Sequence, residues 1–335
     1  MHCSKSELDL DLGLNKLYKL ESIGIRDSST GCLDDLKVEE FNKSIILKDG
    51  HYFVDLPWHE ELINRVPSNS NIALSTLKRV LNSLEQKQLY SQYNEIFEQQ
   101  LKDGIIESFS VDPSHYNEYI WIPHRPVIKT LEQVTTKIRP VFNCSLKIGE
   151  NPSLNEAAYP GVDLMNSLFS LLCQFRSNKY VLLSDVRQAF LQIRLKQNSD
   201  KNRFCFFWYH NNQLLTFRYN TIVFGLASSP FILNYVIKYH ADKYPQDITS
   251  DVLKHNFYVD NLVFTHSESS CLREVYDTAN TRMNEGGFTL RSWNTNHEEL
   301  REVMIKEGKM VEHAENSERV LGYLYEFKSD KLRLI

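Results

Sequence analysis

The stretch FYVDNLVF, Phe257–Phe264, places one aspartate and one asparagine between two apolar triplets. Aromatic and β-branched residues favour strands and Asp-Asn favours a turn, so the stretch predicts a β-hairpin with Asp260 and Asn261 at its tip. A second apolar run, YVLLSD (residues 180–185), also ends in an acid, Asp185. Both aspartates project from strand ends, and we expect them in one sheet.

Two carboxylates at strand ends have a specific chemical use. They can share a pair of divalent ions, which stabilise the attacking and leaving oxygens in phosphoryl transfer. Strands also hold such ligands more rigidly than loops do. Taken singly, each acid is more simply explained as a solvated turn residue. The prediction of a metal site therefore depends on Asp185 and Asp260 lying side by side.

The segments around these strands alternate between helices and short strands. Helical spacing of apolar residues over 73–101 predicts one long helix, or two with a break near Gln88. The runs FCFFWYH and LLTFRYN, separated by residues 211–213, predict another hairpin. Helices are also expected over 162–175 and 271–286. The sequence therefore predicts an α+β fold, with antiparallel hairpins interleaved with helices.

Composition is that of a globular chain of 335 residues with a formal net charge of −5. No apolar run is long enough to cross a membrane, so no membrane partner is expected. A nucleic-acid binder of this charge needs local basic patches. Two basic clusters could supply them, or could be ordinary solvated faces: Arg187, Arg194, Lys196, Lys201 and Arg203; and Arg125, Lys129, Lys137, Arg139 and Lys147.

Several hydrolase signatures are absent from the sequence. The turn FGLASSPF (Phe224–Phe231) is not followed by Gly-Lys-Ser/Thr, so it is not a nucleotide-binding P-loop. The chain has no Asp-Thr-Gly or Asp-Ser-Gly, no His-Glu-x-x-His and no Gly-x-Ser-x-Gly. The turn instead predicts a helix that begins with Ser229 as N-cap and Pro230 in the first turn.

The ordered motifs resemble those of a reverse transcriptase of the BEL/Pao class of LTR retrotransposons. They are KIRPVFN, SLN, LSDVRQAFLQI, FGLASSPF, FYVDN and GGFTLRSWNTN, flanked by ESIGI, DLPW, IPHRPV and the late VLGYLYEFKSDKL. The resemblance covers roughly residues 15–335. It leaves an unrelated two-acid hydrolase as a remote alternative, which would need neither a steric gate nor a phosphate-binding arginine.

The resemblance implies a right-hand polymerase fold. Residues 1–50 would be a leader or linker after a protease missing from this chain, and 51–160 would form the fingers, interleaved with the palm. Residues 161–295 would form the palm with its catalytic sheet, and 296–335 the start of a thumb or connection. The upstream protease, with RNase H and integrase downstream, would belong to the same polyprotein, so the chain looks like a fragment.

The resemblance also implies roles for individual residues. Asp185, the carbonyl of Val186, and Asp260 would bind two Mg²⁺ ions, with Mn²⁺ as a substitute, and Asn261 would adjoin them. The dNTP would be held by Arg139, with Lys129 and Lys137 as further candidates, and by a pocket that contains Phe190, Phe224 and Gly225. Phe190 would exclude a ribose 2′-hydroxyl as a steric gate. Arg291, Ser292 and Trp293 would fall at the primer grip, although Trp293 could equally be core.

Two residues depart from the family pattern. The turn Tyr-x-Asp-Asp reads Tyr258-Val259-Asp260-Asn261, and Asn143 replaces the acid of the fingers motif. Asparagine suits the turn but removes one negative charge, which should weaken Mg²⁺ binding. Two functions remain open: an RNA-directed DNA polymerase (nucleotidyltransferase) acting on a primed RNA or DNA template, or a catalytically dead copy that binds nucleic acid or acts as a scaffold. A cytoplasmic retrotransposon particle is the expected location.

Overall fold

The computed structural model describes residues 31–128, 138–310, 317–327 and 329–334. Lys129 and Lys137 of the predicted phosphate-binding set lie outside these ranges, as does the ESIGI motif at residues 21–25. The chain divides into two units, Met1–Glu40 and Phe41–Ile335. All the elements that form the candidate site belong to the second unit.

Helices of the described chain are mostly short and separated by strands. They are Gly31–Ser44 (α1), Glu60–Ile63 (α2), Ser70–Gln86 (α3), Tyr90–Lys102 (α4), Leu154–Ala157 (α5), Leu168–Ser177 (α6), Asn198–Lys201 (α7), Ser229–Ala241 (α8), Ile248–His255 (α9), Ser269–Glu285 (α10) and Glu298–Lys306 (α11). Turns of 3₁₀-helix cover Pro113–Glu118 and Ala189–Gln192. No helix within the described ranges combines the length and apolar character needed to cross a membrane.

Strands of the described chain form several small sheets. They are Ile46–Lys48 (β1), His51–Val54 (β2), Ile106–Ser108 (β3), His124–Ile128 (β4), Ile138–Phe142 (β5), Tyr180–Val186 (β6), Arg194–Leu195 (β7), Cys205–His210 (β8), Gln213–Tyr219 (β9), Phe257–Tyr258 (β10), Asn261–His266 (β11), Leu290–Thr295 (β12), Ser317–Val320 (β13), Tyr323–Glu326 (β14) and Lys331–Leu334 (β15). Apart from the parallel pair β2 and β7, the strands pair antiparallel, which fits the predicted α+β class.

The acid-bearing sheet is the four-stranded sheet with the order β10-β11-β6-β12. Strand β6 is central, and its apolar residues Val181, Leu182 and Leu183 are buried. Helix α10 packs against both β6 and β11. This burial on a packed sheet fixes β6, so the acid at its end has a defined position.

The aromatic sheet is the three-stranded sheet with the order β3-β9-β8. Strands β8 and β9 form the predicted hairpin, and its turn is shorter than expected, because only Asn211 and Asn212 connect the strands. Both asparagines have positive φ, 50° and 60°, which this residue tolerates. Trp121 and Phe207 stack beside the sheet with ring centroids 3.9 Å apart.

A third sheet, β13-β14-β15, covers part of the acid-bearing sheet. Val320, Tyr325 and Phe327 form one buried apolar cluster with residues of α6, β6 and β11. This cluster brings the end of the chain next to β6, so residues far apart in sequence meet close to Asp185.

Most predicted elements are confirmed, and the differences have local causes. The helical pattern of residues 73–101 is two helices, α3 and α4, with Gln88 at φ 55° between them. The helix expected over 162–175 begins only at Leu168, because Ser167 caps it by accepting a hydrogen bond from the Ser170 N–H. Helix α8 begins after Ser228, and the hydroxyl of Ser229, the predicted N-cap, donates to the carbonyl of Val223.

Candidate active site

Strand β6 and the β10–β11 turn bring Asp185 and Asp260 together at one end of the acid-bearing sheet. Asn261 lies opposite Asp185 in the register, and the N–H of Val186 donates to the carbonyl of Asp260 at 2.9 Å. Burial raises the pKa of Asp260, and the negative charge of Asp185 raises that pKa further. The two carboxylates therefore interact, as groups that share a cation site do.

The turn that carries Asp260 has an uncommon backbone. Val259 has φ 57°, a left-handed conformation that is rare for a β-branched residue. Asn261 follows, exposed at the start of β11, and its side-chain amide donates to Asp260 Oδ1 at 3.0 Å. The residue that replaces the family acid therefore directs a hydrogen-bond donor at the neighbouring carboxylate.

Two arginines bring positive charge to these acids. Arg291 lies opposite Asp185 on β12, and its Nε donates to Asp185 Oδ1 at 2.6 Å. Arg139 is exposed on β5, and its charge, like that of Arg291, acts to lower the pKa of Asp260. The predicted phosphate-binding arginine therefore lies within electrostatic reach of the predicted metal ligands.

The predicted nucleotide pocket residues are also brought together. The rings of Phe190 and Phe224 meet edge to face, with centroids 4.8 Å apart. Ala189 and Leu191 are buried, whereas Phe190 is only half-buried, so its ring is not simply a core side chain. Gly225 has φ 99°, and a Cβ there would lie 2.8 Å from the carbonyl oxygen of Phe142, so no side chain fits.

Glu318 is a further acid that the sequence did not single out. It lines a cavity of about 100 Å³ together with Asp185 and Asn261. Burial raises the pKa of Glu318 to about 7, and the charge of Asp185 acts in the same direction. The side chain of Asn294 faces Glu318 and acts to lower that pKa, but the effect of burial is larger.

The donor set at the turn fits a divalent metal. Asp185 and Asp260 supply carboxylate oxygens, which Mg²⁺ prefers, and substrate phosphates and water normally complete its shell. The guanidinium of Arg291 on Asp185 Oδ1 also shows that this carboxylate presents an oxygen to a cation. Within the described ranges, no group of three or more His, Cys, Asp or Glu side chains could hold a metal ion by itself.

Comparison with known proteins assigns the chain to a family. A family model described as reverse transcriptase (RNA-dependent DNA polymerase) matches residues 123–299, more than half of the chain. The chain belongs to the reverse transcriptase family. The matched segment includes Arg139, Asp185, Asp260 and Arg291. No curated protein matches the sequence significantly.

Solved structures agree with this reverse transcriptase assignment at the level of the fold. A foamy viral protease–reverse transcriptase in complex with double-stranded DNA has 14% identity and a TM-score of 0.50, and the match covers 72% of this chain. The same viral protein in complex with an RNA/DNA hybrid has 13% identity, a TM-score of 0.49 and 93% coverage of this chain. This chain spans 34% of the length of each. The family match and the first of these structures therefore confirm the predicted α+β right-hand polymerase fold.

Of the predicted primer-grip residues, Trp293 is a core side chain. Trp293 is fully buried, packs against Tyr276, and its indole N–H donates to Asn280 at 3.3 Å. It cannot contact a primer, so the prediction for Trp293 is wrong. Arg291 and Ser292 belong to β12, and Arg291 pairs with Asp185.

The basic clusters are only partly free for phosphate. Arg203 pairs with Asp200 at 2.6 Å, Lys196 with Asp55 at 3.2 Å, and Lys147 with Glu156 at 2.5 Å. The guanidinium of Arg194 donates to the carbonyl of Gly104. These four members therefore stabilise the local fold through their pairing with neighbouring groups.

Asn155 of the SLN motif fixes the turn that carries Phe224. Its side-chain amide donates to the carbonyl of Gly225 at 2.9 Å and to Ser145 Oγ at 2.8 Å. Its side-chain oxygen accepts from the N–H of Ala227 at 2.9 Å. The sequence placed Asn155 in a recognised motif but gave it no role, because Gly225 and Ala227 are about 70 residues further along the chain.

Proposed function

We propose that this chain is an RNA-directed DNA polymerase domain from a retrotransposon of the BEL/Pao class. The observation that carries the proposal is the juxtaposition of Asp185 and Asp260 at one end of the acid-bearing sheet, with Arg139 in electrostatic reach. Membership of the reverse transcriptase family supports a nucleotidyl transfer at this site. The polyprotein partners and a location in a cytoplasmic retrotransposon particle are part of the same proposal.

Asp185 and Asp260, with the carbonyl of Val186, would hold two Mg²⁺ ions or their Mn²⁺ substitutes. When bound, such ions activate the primer 3′-hydroxyl and stabilise the charge that develops on the transferred phosphate and the leaving group. The residues of this chain supply the rest: the strands fix the two carboxylates, and burial near Asp185 disfavours the charged form of Asp260 until a cation compensates it.

The remaining residues would bind the dNTP. The guanidinium of Arg139 can form paired hydrogen bonds with triphosphate oxygens, and Lys129 and Lys137 would add positive charge. Phe190, supported by its contact with Phe224, would lie against the sugar and exclude a 2′-hydroxyl. Gly225 would let the turn approach the nucleotide closely, since its φ of 99° and the nearby carbonyl of Phe142 leave no room for a side chain.

A primed template is the proposed macromolecular substrate. The foamy viral protein of similar fold is described in complex with double-stranded DNA and with an RNA/DNA hybrid. The regions 51–160, 161–295 and 296–335 would act as fingers, palm and the beginning of a thumb. In the structure the hairpin of β8 and β9 pairs with β3, so strands from both sides of residue 160 share one sheet.

Primer extension on an RNA template tests the proposal. The full chain should incorporate dNTPs with Mn²⁺ and less well with Mg²⁺, and Asp185→Ala should abolish incorporation. Asn261→Asp should raise the rate in Mg²⁺ more than in Mn²⁺, because it restores an anionic oxygen where the amide now donates to Asp260. Incorporation that survives Asp185→Ala would contradict the assigned site.

A catalytically inactive copy is the second candidate, and one observation favours it. Both carboxylates accept a hydrogen bond from a cationic or amide donor, Asp185 from Arg291 and Asp260 from Asn261. In that case, the chain would bind a labelled primer–template yet extend it with neither metal, and Asn261→Asp would not restore extension. Restoration by Asn261→Asp would instead identify a reverse transcriptase weakened at one residue.

A further inference from the structure

Arg291 reaches the active site because β12 is irregular. The pairing of β12 with β6 shifts register between Arg291 and Asn294, and Ser292 within this bulge has φ 54°. A bulge changes the direction of the side chains on either side of it. Here Arg291 lies directly opposite Asp185, while Trp293 and Asn294 are fully buried.

The contact between Arg291 and Asp185 is short, but it does not fix the arginine side chain in place. A single bond joins Nε to Asp185 Oδ1 at 2.6 Å, and no second bond from this guanidinium to Asp185 is present. The Arg291 side chain is 38% exposed. A half-exposed arginine held by one hydrogen bond can move into solvent at little cost.

Arginine side chains supply the positive charge beside the two acids. Asp185 and Asp260 carry the negative charge, and positive charge comes from Arg291, which pairs with Asp185 at 2.6 Å, and from Arg139 nearby. Since Asn261 is neutral, the turn has one acid fewer than the family pattern. With one carboxylate fewer, the two arginines oppose the binding of a metal ion more strongly than they would beside three carboxylates.

We propose that Arg291 is the resident counter-ion of Asp185, which a divalent ion must displace, so that Arg291 sets the metal affinity of this site. The inference rests on the proposed function, because it takes Asp185 as a metal ligand. It differs from an orienting role, in which Arg291 would hold Asp185 in place for the metal. Removal of an orienting partner weakens metal binding, whereas removal of a displaced counter-ion strengthens it.

Direct Mn²⁺ binding to the full chain distinguishes these roles. Free Mn²⁺ is measured by electron paramagnetic resonance during a titration of the unmodified chain and of Arg291→Gln, and Asp185→Asn in each background identifies the binding that depends on Asp185. We expect Arg291→Gln to lower the half-saturating Mn²⁺ concentration about tenfold, because a nearby unit positive charge is removed. Arg291→Lys should fall between the two.

Arg273→Gln is the matched control. Arg273 also bonds through Nε to an aspartate, Asp277, at 2.6 Å, but it lies on the exposed surface of α10. The substitution Arg273→Gln removes the same charge, but from an ion pair that does not involve Asp185. It should therefore leave the Mn²⁺ binding that depends on Asp185 unchanged. Thermal unfolding without metal checks that every variant is folded.

Unchanged or weaker Mn²⁺ binding by Arg291→Gln would overturn the inference. If the unmodified chain still shows binding that depends on Asp185, only the role of Arg291 is refuted, and the proposed metal site stands. If neither chain shows binding that depends on Asp185, the metal site of the proposed function is refuted as well.

Discussion

The aromatic sheet and the acid-bearing sheet differ in how well their buried ionisable side chains are accommodated. Beside the aromatic sheet, His124 is fully buried and both ring nitrogens have partners: the Tyr93 hydroxyl at 2.9 Å and the Phe207 carbonyl at 3.1 Å. At the acid-bearing sheet, burial disfavours the charged forms of two carboxylates, Asp260 and Glu318, and raises the pKa of each. Burial of a carboxylate that is charged costs free energy of folding.

The backbone shows the same contrast. Both residues of the β8–β9 turn have positive φ, and both are asparagines, which tolerate it. Next to the acids, positive φ occurs at Val259 and Ser292, residues that do not favour it. Such conformations persist where the surrounding structure imposes them, and they are concentrated at functional sites.

The contrast between the two sheets indicates which region stabilises the fold and which region lowers its stability. The aromatic region is stacked, and its buried histidine is fully hydrogen-bonded, so this region should contribute strongly to stability. At the acid-bearing end, burial disfavours the charged forms of the carboxylates. A bound cation would offset this cost, as expected for a site that binds a metal ion and a nucleotide. Substitutions should therefore affect stability in one region and activity in the other.

The largest effect on stability should come from Trp121→Ala. Trp121 is fully buried, stacks on Phe207 with an interplanar angle of 6°, and donates from its indole N–H to the carbonyl of Tyr116 at 2.8 Å. Its removal should lower the free energy of unfolding by about 3–5 kcal/mol, as measured by urea denaturation. Trp121→Phe should cost clearly less. A loss below about 1 kcal/mol would refute the stabilising role of this region.

A second effect should appear on acidification. Burial lowers the pKa of His124 to about 4, whereas its ordinary value is 6.5. Between these values the unfolded chain binds a proton that the folded chain does not, so stability is full above pH 6.5 and falls as the pH drops towards 4. The loss should be about 3 kcal/mol, at about 1.4 kcal/mol per pKa unit.

Urea denaturation of His124→Gln at several pH values checks this prediction. The variant cannot titrate in this range, so its free energy of unfolding should depend less on pH than that of the unmodified chain. The exposed His115 offers a matched control, since His115→Gln should keep the full dependence. Equal slopes for His124→Gln and the unmodified chain would show that other groups cause the acid loss.

The smallest effect should come from exchanging residues between the two turns. Val259→Asn places a residue that tolerates positive φ at 57°, and Asn212→Val does the reverse at 60°. Thermal unfolding should show a gain of about 1 kcal/mol for the first and a loss of about 1 kcal/mol for the second. A loss in both would mean that contacts of the Val259 side chain outweigh its backbone conformation.

The sequence was sufficient for the parts of the site that local patterns define. Apolar strands that end in acids predicted β6 and the β10–β11 hairpin, and the ordered motifs predicted the polymerase fold. Strand pairing then brings Asp185 and Asp260 together, because a central strand and the hairpin beside it share one end of a sheet. These features depend on residue type and short spacing, which sequence displays directly.

Long-range geometry could not be predicted in the same way. The position of Arg291 depends on a bulge in β12, and a one-residue shift in register reverses which side chains face the core. Trp293 fits a core and a surface equally well as a sequence pattern, and burial alone decides between them. Glu318 joins the site only because β13 packs onto a strand more than 130 residues earlier in the chain.

The most direct test of the contrast between stability and function is Asp260→Asn, with primer extension and the free energy of unfolding measured on the same preparation. The amide has the same shape and removes a charge that burial disfavours. We therefore expect extension to be lost while the free energy of unfolding at pH 7 stays equal or rises. If Asp260→Asn instead lowers the free energy of unfolding and still extends the primer, Asp260 is not an acid that serves catalysis at a cost in stability.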